Sequence, residues 1–218
     1  MTDVFKLEDF DADGAIQETA EKAGIDTRSA FLKKAGIGAG ALIGGSAFAG
    51  ALPALATAGT PASDVAILNF ALTLEYLEAA FYNEASVKGN FTGSLDTFVK
   101  AVKAHENAHV VALKKALGSA AVKKPKFHFR NTTSDEQAFR ATSQTLEDTG
   151  VAAYLGQVGN IKSKGVLLAA GSILPIEARH AGWIRTLNEV VGAPASFEKG
   201  KSKAQILAAV KGTKFIVG

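Results

Sequence analysis

The sequence predicts an all-α protein built on a four-helix bundle, with a long crossover between the second and third helices. The pattern Glu-x-x-His occurs twice, at Glu106–His109 and at Glu177–His180. Each copy follows a Thr-Leu-Glu segment, and the glutamates Glu75 and Glu147 precede the two tetrads by 31 and 30 residues. The chain therefore contains one helical hairpin twice, and two such hairpins make a four-helix bundle.

Apolar periodicity and end signals position the helices. Apolar residues recur at steps of three and four along each segment, as on the buried face of a helix. Ser63 and Asp64 can cap the first helix, and Ser134 with Gln137 has the pattern of a capping box at the start of the third. The helices are expected at about residues 63–88, 94–117, 135–158 and 164–191, and Pro175 should kink the last of them.

The linkers predict how the helices are connected. Each hairpin has a short linker, so its two helices are antiparallel. The linker at residues 119–133 is 15 residues long. A chain of that length reaches about 50 Å, and the second helix is roughly 36 Å long. The linker can therefore run back along the bundle as a crossover, which gives up-down-down-up connectivity. A further short helix is expected in the tail, capped by Ser202 and Gln205.

Composition narrows the functional classes. The 218 residues include 47% hydrophobic side chains, which suits one compact domain with additional terminal segments. Cysteine is absent, so a metal site must use histidine and carboxylate ligands. The net charge is +3, and the lysine-rich segments lack the interleaved aromatic residues of a nucleic-acid surface, so no nucleic-acid partner is expected. We interpret these lysines as a solvated face, with a weak anion-binding patch as the alternative.

The first part of the chain is interpreted as a leader that ends in a signal peptide. Residues 35–63 contain no charged side chain, basic residues precede them, and residues 54–58 offer Ala-x-Ala cleavage sites. An uncut membrane anchor and a buried soluble helix are the alternatives, and the many glycines disfavour both. The expected organisation is a leader at residues 1–58, the bundle at 59–192 and a tail at 193–218.

An export motif adds to this interpretation. The segment Thr27–Lys33 resembles the twin-arginine export signal, except that Ser29 replaces its second arginine. The chain is therefore expected to meet the export machinery and to cross the cytoplasmic membrane into the periplasm, the envelope or the medium. An uncut leader would instead anchor it to the membrane.

Six side chains are candidate metal ligands. Residues three apart lie on one helix face, so each tetrad can bring a carboxylate and an imidazole to one ion. The two upstream glutamates supply further carboxylates, and four carboxylates balance two divalent cations. Oxygen and imidazole ligands suit iron or manganese, and also zinc. The predicted ligands are Glu75, Glu106, His109, Glu147, Glu177 and His180.

Some interpretations of these residues stay open. Glu78 lies one turn from Glu75 and competes with it, but Glu75 has a partner in the repeat, whereas Gly150 occupies the position that matches Glu78. A layer of Glu–His hydrogen bonds without metal is a second alternative, although it buries charge. His105 and His128 are interpreted as ordinary residues outside the site.

Two tyrosines are candidates for a supporting or catalytic role. Tyr82 and Tyr154 each lie seven residues after a predicted ligand, which places them two turns along the same helix face. Each could donate its hydroxyl group to a ligand carboxylate or act as a redox group. The simpler interpretation is a buried tyrosine whose hydroxyl group is satisfied.

The ordered set of four glutamates and two Glu-x-x-His histidines resembles the di-iron and di-manganese carboxylate proteins of the ferritin-like superfamily. The segment Phe70–Tyr82 further resembles an exported bacterial ferritin-like family related to plant desiccation-related proteins. The resemblance covers about residues 62–192. It implies two bound metal ions and, in parts of the superfamily, iron storage, ferrous oxidation or peroxide destruction.

Two functions are compatible with these features. The first is an oxidoreductase that acts on ferrous iron, dioxygen or peroxide in stress protection, with ferroxidase-like or catalase-like chemistry. The second is a non-catalytic bundle that is stapled by metal and protects the envelope during desiccation. Metal ions and small oxidants are the expected partners, and a homodimer is compatible with both functions. Iron storage in a large shell is a weaker interpretation, because the sequence has no evident acidic nucleation surface.

Overall fold

The computed structural model describes residues 60–217, so the predicted leader and its export motif lie outside the described residues. Within this range the predicted all-α class is confirmed. Four long helices form the bundle, and a fifth helix lies in the tail. The helices are α1 (Ala62–Lys88), α2 (Gly93–Leu117), α3 (Glu136–Gln157), α4 (Lys164–Leu187) and α5 (Lys203–Thr213).

The helix directions follow from contacts at the two ends of the bundle. At one end Tyr82 of α1 contacts Ser143 of α3. At the other end Leu72 of α1 and Tyr154 of α3 belong to one apolar cluster. The two helices therefore run in opposite directions. Because α1–α2 and α3–α4 are hairpins with short linkers, α1 is parallel to α4 and α2 is parallel to α3, which is the predicted up-down-down-up connectivity.

The crossover runs along α1. At its start the side chain of Asn69 donates to the Ala120 carbonyl at 2.9 Å and accepts from the Val122 amide at 2.8 Å. At its end the Thr133 hydroxyl donates to Glu84 at 2.7 Å. Asn69 and Glu84 lie 15 residues apart in α1, so the crossover spans most of the bundle, as its length predicted.

A small sheet joins the crossover to the end of the chain. Strand β1 (Lys126–Phe127) pairs antiparallel with β2 (Ile216–Val217). Between them in the chain, α5 begins with the predicted capping box of Ser202 and Gln205. Its Ile206 is fully buried, whereas Leu207 is exposed. The sheet and α5 therefore hold the tail against the bundle.

The tail approaches α3 closely at a point where each of the two segments has a glycine, Gly200 in the tail and Gly156 in α3. The amide of Lys201 donates to the Ala152 carbonyl at 2.9 Å. A Cβ atom at Gly156 would lie 1.9 Å from the Lys201 carbonyl oxygen, and one at Gly200 would lie 2.7 Å from the Gly156 nitrogen. Only glycine fits at such backbone approaches.

Several predicted helix ends are wrong, and each has a local cause. Asp64 does not cap α1: its buried carboxylate accepts the amides of Lys162 and Ser163 at the start of α4. Asp135, rather than Ser134, caps α3 by accepting from the Ala138 amide. Helix α4 ends at Leu187 instead of Val191, because Asn188 bonds to α3 and Glu189 adopts a left-handed backbone with φ 59°.

Helix α1 is the most apolar helix among the described residues. It is the one described helix long and apolar enough to cross a membrane, but 67% of its most apolar window is buried inside the protein. The same window includes the buried carboxyl groups of Glu75 and Glu78. Its apolar character is therefore accounted for by its contacts in the bundle core.

Candidate metal centre

A cluster of carboxylates and histidines lies in the middle of the bundle, between two apolar clusters. Each of the four long helices contributes to it, because every predicted ligand falls on an inward-facing position. The four glutamates are 0% exposed and His180 is 2% exposed. The structure brings all six predicted ligands together: Glu75 from α1, Glu106 and His109 from α2, Glu147 from α3, and Glu177 and His180 from α4.

The six residues form two overlapping groups. One consists of Glu75, Glu106, His109 and Glu177, and the other of Glu106, Glu147, Glu177 and His180. Within each group, one ligand atom from every residue lies within 4.8 Å of the others. Glu106 and Glu177 belong to both groups. The arrangement is compatible with two adjacent cation positions that share these two carboxylates. Each position would add one histidine and one outer carboxylate, which is Glu75 in the first group and Glu147 in the second.

Both histidines turn Nδ1 towards the carboxylates. His180 Nδ1 lies 3.1 Å from Glu106 Oε1 and 3.3 Å from Glu147 Oε2. His109 Nδ1 lies between three carboxylates, at 3.2 Å from Glu75 Oε2, 3.3 Å from Glu106 Oε2 and 3.2 Å from Glu177 Oε1. The same imidazole atom is therefore presented at each of the two positions.

The polar atoms of the centre are only partly satisfied by the protein. Among the described residues, six buried side-chain atoms make no hydrogen bond of acceptable geometry, even where an ionic contact lies within 3.3 Å, and five of them belong to this cluster. They are Glu106 Oε1, Glu147 Oε2, both carboxylate oxygens of Glu177, and His180 Nδ1. Buried polar atoms are rarely left without a partner. Oxygen and imidazole donors that converge without partners fit a pair of iron, manganese or zinc ions.

Burial raises the pKa of most of these carboxyl groups. It raises the pKa of Glu75 to about 7, although the neighbouring His109 opposes the change. It also raises the pKa of Glu147, and it raises that of Glu177 well above the usual range, where repulsion from Glu106 adds to the effect. Without metal, the centre therefore retains protons that a loaded centre would release.

The shared carboxylate Glu106 has the opposite shift. Burial alone would raise its pKa, but the adjacent imidazoles of His109 and His180 outweigh burial and hold the pKa well below its usual range. Burial would lower the pKa of His180, but the adjacent carboxylates of Glu106 and Glu147 raise it to about 10. The pKa of His109 is likewise raised, because the surrounding carboxylates outweigh burial. Both shifts favour the protonated form of the imidazoles in the metal-free centre.

Each of the two candidate tyrosines donates a hydrogen bond to an outer carboxylate, Glu75 or Glu147, of the other hairpin. Tyr154 of the second hairpin donates its hydroxyl group to Glu75 Oε1 of the first at 2.5 Å. Tyr82 of the first hairpin donates to Glu147 Oε1 of the second, and its hydroxyl oxygen lies 2.7 Å from Ser143 Oγ. Burial raises the pKa of both tyrosines well above the usual value, so both keep their protons. Each outer carboxylate is therefore held by the opposite hairpin.

His105 contacts the centre, which the sequence interpretation missed. Its Nδ1 lies 2.9 Å from Nε2 of His180, and the two rings are stacked with centroids 5.1 Å apart. A proton on Nε2 of neutral His180 would be donated to His105 and would leave Nδ1 free as a ligand. Its position beside Glu106 in the sequence suggested an outward direction, and only the packing of α4 against α2 reveals the contact.

Glu78 is also part of the cluster, although it belongs to neither ligand group. It is 4% exposed, and burial together with repulsion from Glu177 and Glu147 raises its pKa well above the usual range. Its carboxyl group occupies space beside Gly150. A Cβ atom at Gly150 would lie 2.9 Å from Glu177 Oε2 and 3.3 Å from Glu78 Oε1. The missing side chain at Gly150 makes room for the fifth carboxyl group.

Replacing Gly150 with alanine is therefore expected to weaken metal binding without unfolding the protein. The new methyl group meets the movable ends of Glu78 and Glu177, and alanine favours the helix by up to about 1 kcal/mol. Displacement of Glu177 should lower metal affinity by about 10- to 100-fold. Metal titration and thermal melting measure the two effects. Gly171→Ala is the control, because no atom lies within 4 Å of its added Cβ. Equal metal affinity in the two variants would contradict the prediction.

Residues 63–189 match a family described as the ferritin-like domain. The match covers more than half of the chain and includes all six candidate ligands. No curated protein matches the chain.

Proposed function

The chain belongs to the ferritin-like domain family, and on that premise we propose that it is an exported di-metal carboxylate oxidoreductase. The proposed metals are iron or manganese, and the proposed substrates are ferrous iron, dioxygen or peroxide. The proposed setting is protection of the cell envelope against oxidative or drying stress.

The sharing of Glu106 and Glu177 between two ligand groups is the observation that carries this proposal. Two carboxylates common to both cation positions would keep a metal pair close together. A pair of redox-active ions held by these residues would supply one electron from each ion to a single oxidant molecule. With ferrous iron as the substrate, two ferrous ions would each lose one electron, and one dioxygen would take up these two electrons and two protons to form hydrogen peroxide.

The protein groups around the pair would position ligands and manage protons. Tyr82 and Tyr154 hold the outer carboxylates through their hydroxyl groups. His105 contacts the far nitrogen of His180 and orients its ring. Glu78 keeps a proton in the metal-free centre because burial raises its pKa. Burial of the carboxylates excludes bulk water, which would limit the release of reactive products.

The export part of the proposal rests on the sequence alone. The twin-arginine-like segment Thr27–Lys33 and the charge-free stretch after it support export of a folded protein that already carries its metal. The resemblance to desiccation-related proteins supports a protective role. The mass of the mature protein, measured after isolation from the envelope fraction, tests cleavage near residue 58.

A metal-stapled structural bundle is the second candidate, and the burial of the centre favours it. All four candidate carboxylate ligands are inaccessible, and the most accessible ligand is His109, whose side chain is 11% exposed. Such a bundle would gain thermal stability from metal but would turn over no substrate.

Anaerobic loading with ferrous iron followed by exposure to dioxygen tests the proposal. We expect two equivalents of iron per chain, rapid formation of ferric iron and consumption of about one dioxygen for every two ferrous ions. The manganese-loaded protein should be tested in parallel for loss of hydrogen peroxide. His180→Ala should suppress turnover, and His128→Ala is the control, since His128 is an exposed crossover residue.

The outcomes separate the two candidate functions. Metal binding with turnover in the wild-type protein and in His128→Ala supports the oxidoreductase. Metal binding that raises the melting temperature without any turnover supports the structural bundle. A folded protein that binds no metal would overturn both functions.

A further inference from the structure

An apolar cavity lies inside the bundle next to the metal centre. Each of the four bundle helices contributes to its wall, through Ala71 and Leu74 of α1, Leu113 of α2, Tyr154 of α3 and Ala170 of α4. Almost no polar surface faces it. The Tyr154 hydroxyl is committed to Glu75. This apolar space is therefore poorly suited to hold an ordered water, because a buried water needs two to four polar partners and Gln157 is the one amide side chain in the lining.

Helix spacing places this cavity one turn from the candidate ligands. Ala71 precedes Glu75 by four residues in α1, and Leu113 follows His109 by four residues in α2. Residues four apart lie on the same helix face, about 6 Å apart along the axis. Tyr154 forms part of the cavity wall, and its hydroxyl contacts Glu75. A molecule in the cavity would be separated from the first ligand group by the Tyr154 ring.

The size and lining of the cavity determine what it can hold. The space admits a molecule about as large as one or two water molecules. Hydrogen peroxide and water would lose their hydrogen bonds on entering an apolar cavity, which is unfavourable. A small apolar molecule loses no hydrogen bonds, and larger apolar cavities in protein cores are known to stay dry and to bind xenon. Dioxygen is apolar, diatomic and a substrate that a redox-active metal pair can use.

We propose that this cavity binds dioxygen and delivers it to the metal centre from the Glu75–His109 side. The inference rests on the proposed oxidoreductase function and narrows it, because it makes dioxygen rather than peroxide the oxidant that the fold accommodates. The outer end of the cavity is formed by the half-buried Ile67 and Ile161. Dioxygen would enter there and reach the centre past Tyr154.

Dioxygen itself is the probe for the first test. Dissolved dioxygen is paramagnetic and speeds the nuclear relaxation of methyl groups beside which it resides. In the zinc-loaded full chain, which has no redox chemistry, we expect the largest relaxation increase at the methyl groups of Ala71, Leu113 and Ala170. The increase should be lost in Ala71→Val, whose added methyl groups occupy the cavity. Ala85→Val is the control, since Ala85 is a buried residue of α1 outside the cavity wall.

A kinetic test then examines delivery to the iron-loaded protein. Ala71→Val should raise the dioxygen concentration that half-saturates ferrous oxidation by about fivefold or more. The rate of oxidation by added hydrogen peroxide should not change, and Ala85→Val should match the wild-type protein. Both valine variants carry the same helix-propensity penalty, so thermal melting separates a packing defect from loss of the cavity.

The outcomes distinguish this inference from the proposed function. Absence of the dioxygen-induced relaxation at the cavity methyl groups would overturn the inference, whatever the enzyme does. Ferrous oxidation with an unchanged dioxygen dependence in Ala71→Val would also overturn it, while leaving the oxidoreductase intact. Cavity relaxation in a protein that oxidises nothing would support dioxygen binding and overturn the proposed function instead.

Discussion

Glu106→Gln and Glu177→Gln are each expected to remove both metal ions, whereas His109→Gln and His180→Gln are each expected to remove one. The shared carboxylates belong to both ligand groups, and each histidine belongs to a single group. Glutamine preserves the side-chain volume but removes the negative charge that a bridging ligand supplies. The number of ions per chain should therefore fall from about two to zero in the first pair and to about one in the second.

Equilibrium metal titration with elemental analysis measures this difference. Glu177→Gln should keep the stability of the metal-free protein, because the raised pKa of Glu177 already keeps that carboxyl group neutral. The other three variants each remove one partner of a buried Glu–His contact, so their metal-free forms should melt at lower temperature. Circular dichroism and thermal melting of the metal-free proteins check this point. Retention of one ion in Glu106→Gln, or loss of both ions in His180→Gln, would contradict the assignment of shared and outer ligands.

The metal-free protein is expected to become less stable as the pH rises from about 7 to about 10. The pKa of His180 is raised from 6.5 to about 10 in the folded chain. The folded protein therefore holds a proton in this range that the unfolded chain releases. The raised pKa values of His109, Glu78 and Glu177 act in the same direction. Since the folded state binds more protons, its stability must fall with increasing pH.

Groups with the opposite effect act at lower pH. The pKa of His105 is lowered from 6.5 by burial and by repulsion from His180 and His109, so its contribution is lost only as the pH falls below that value. The lowered pKa of Glu106 likewise matters below 4.5. Between pH 7 and 10 the cited shifts of the centre therefore share one sign.

Metal should reverse this pH dependence. Metal ions bind the deprotonated ligands, so binding releases protons and strengthens as the pH rises. We expect the difference in melting temperature between the zinc-loaded and metal-free proteins to be larger at pH 9.5 than at pH 7. For a chain of this size, each 1 kcal/mol of stability shifts the melting temperature by roughly 2–4 °C.

Glu78→Gln provides the matched variant for this test. It removes a buried acid that is outside both ligand groups, so the metal-free variant should lose less stability at high pH than the wild-type protein. Parallel thermal melts of both proteins at the two pH values measure the change. A metal-free wild-type protein that becomes more stable between pH 7 and 9.5 would contradict the raised pKa values.

The architecture and the clustering of the six candidate ligands follow from local sequence patterns. Duplicated spacing between a glutamate and a Glu-x-x-His tetrad places the candidate ligands on four helices, and a 15-residue linker accounts for the crossover. These features can be predicted because helix periodicity is visible within a short stretch of sequence and the reach of a linker depends only on its own length. The family match and the helical bundle bear out the fold prediction.

The features that the sequence did not predict depend on contacts between distant segments. Asp64 looked like a local cap, yet its partners lie 98 and 99 residues away at the start of α4. Strands β1 and β2 have two residues each, which is too short for an alternating pattern to identify them. His105 contacts His180 only because α4 packs against α2, and the carboxyl group of Glu78 fits only because α3 has a glycine, Gly150, beside it.

A perfect duplication would give the bundle a twofold axis, and two identical ions would then be indistinguishable. Glu78 and Gly150 occupy matching positions in the two halves, so the fifth carboxyl group approaches the centre from one side only. His105 adds a second difference between the two halves, because it contacts His180 of the second ligand group. Two ions of one element held here would therefore give two separate spectra and fill in a fixed order, with the tighter position occupied first.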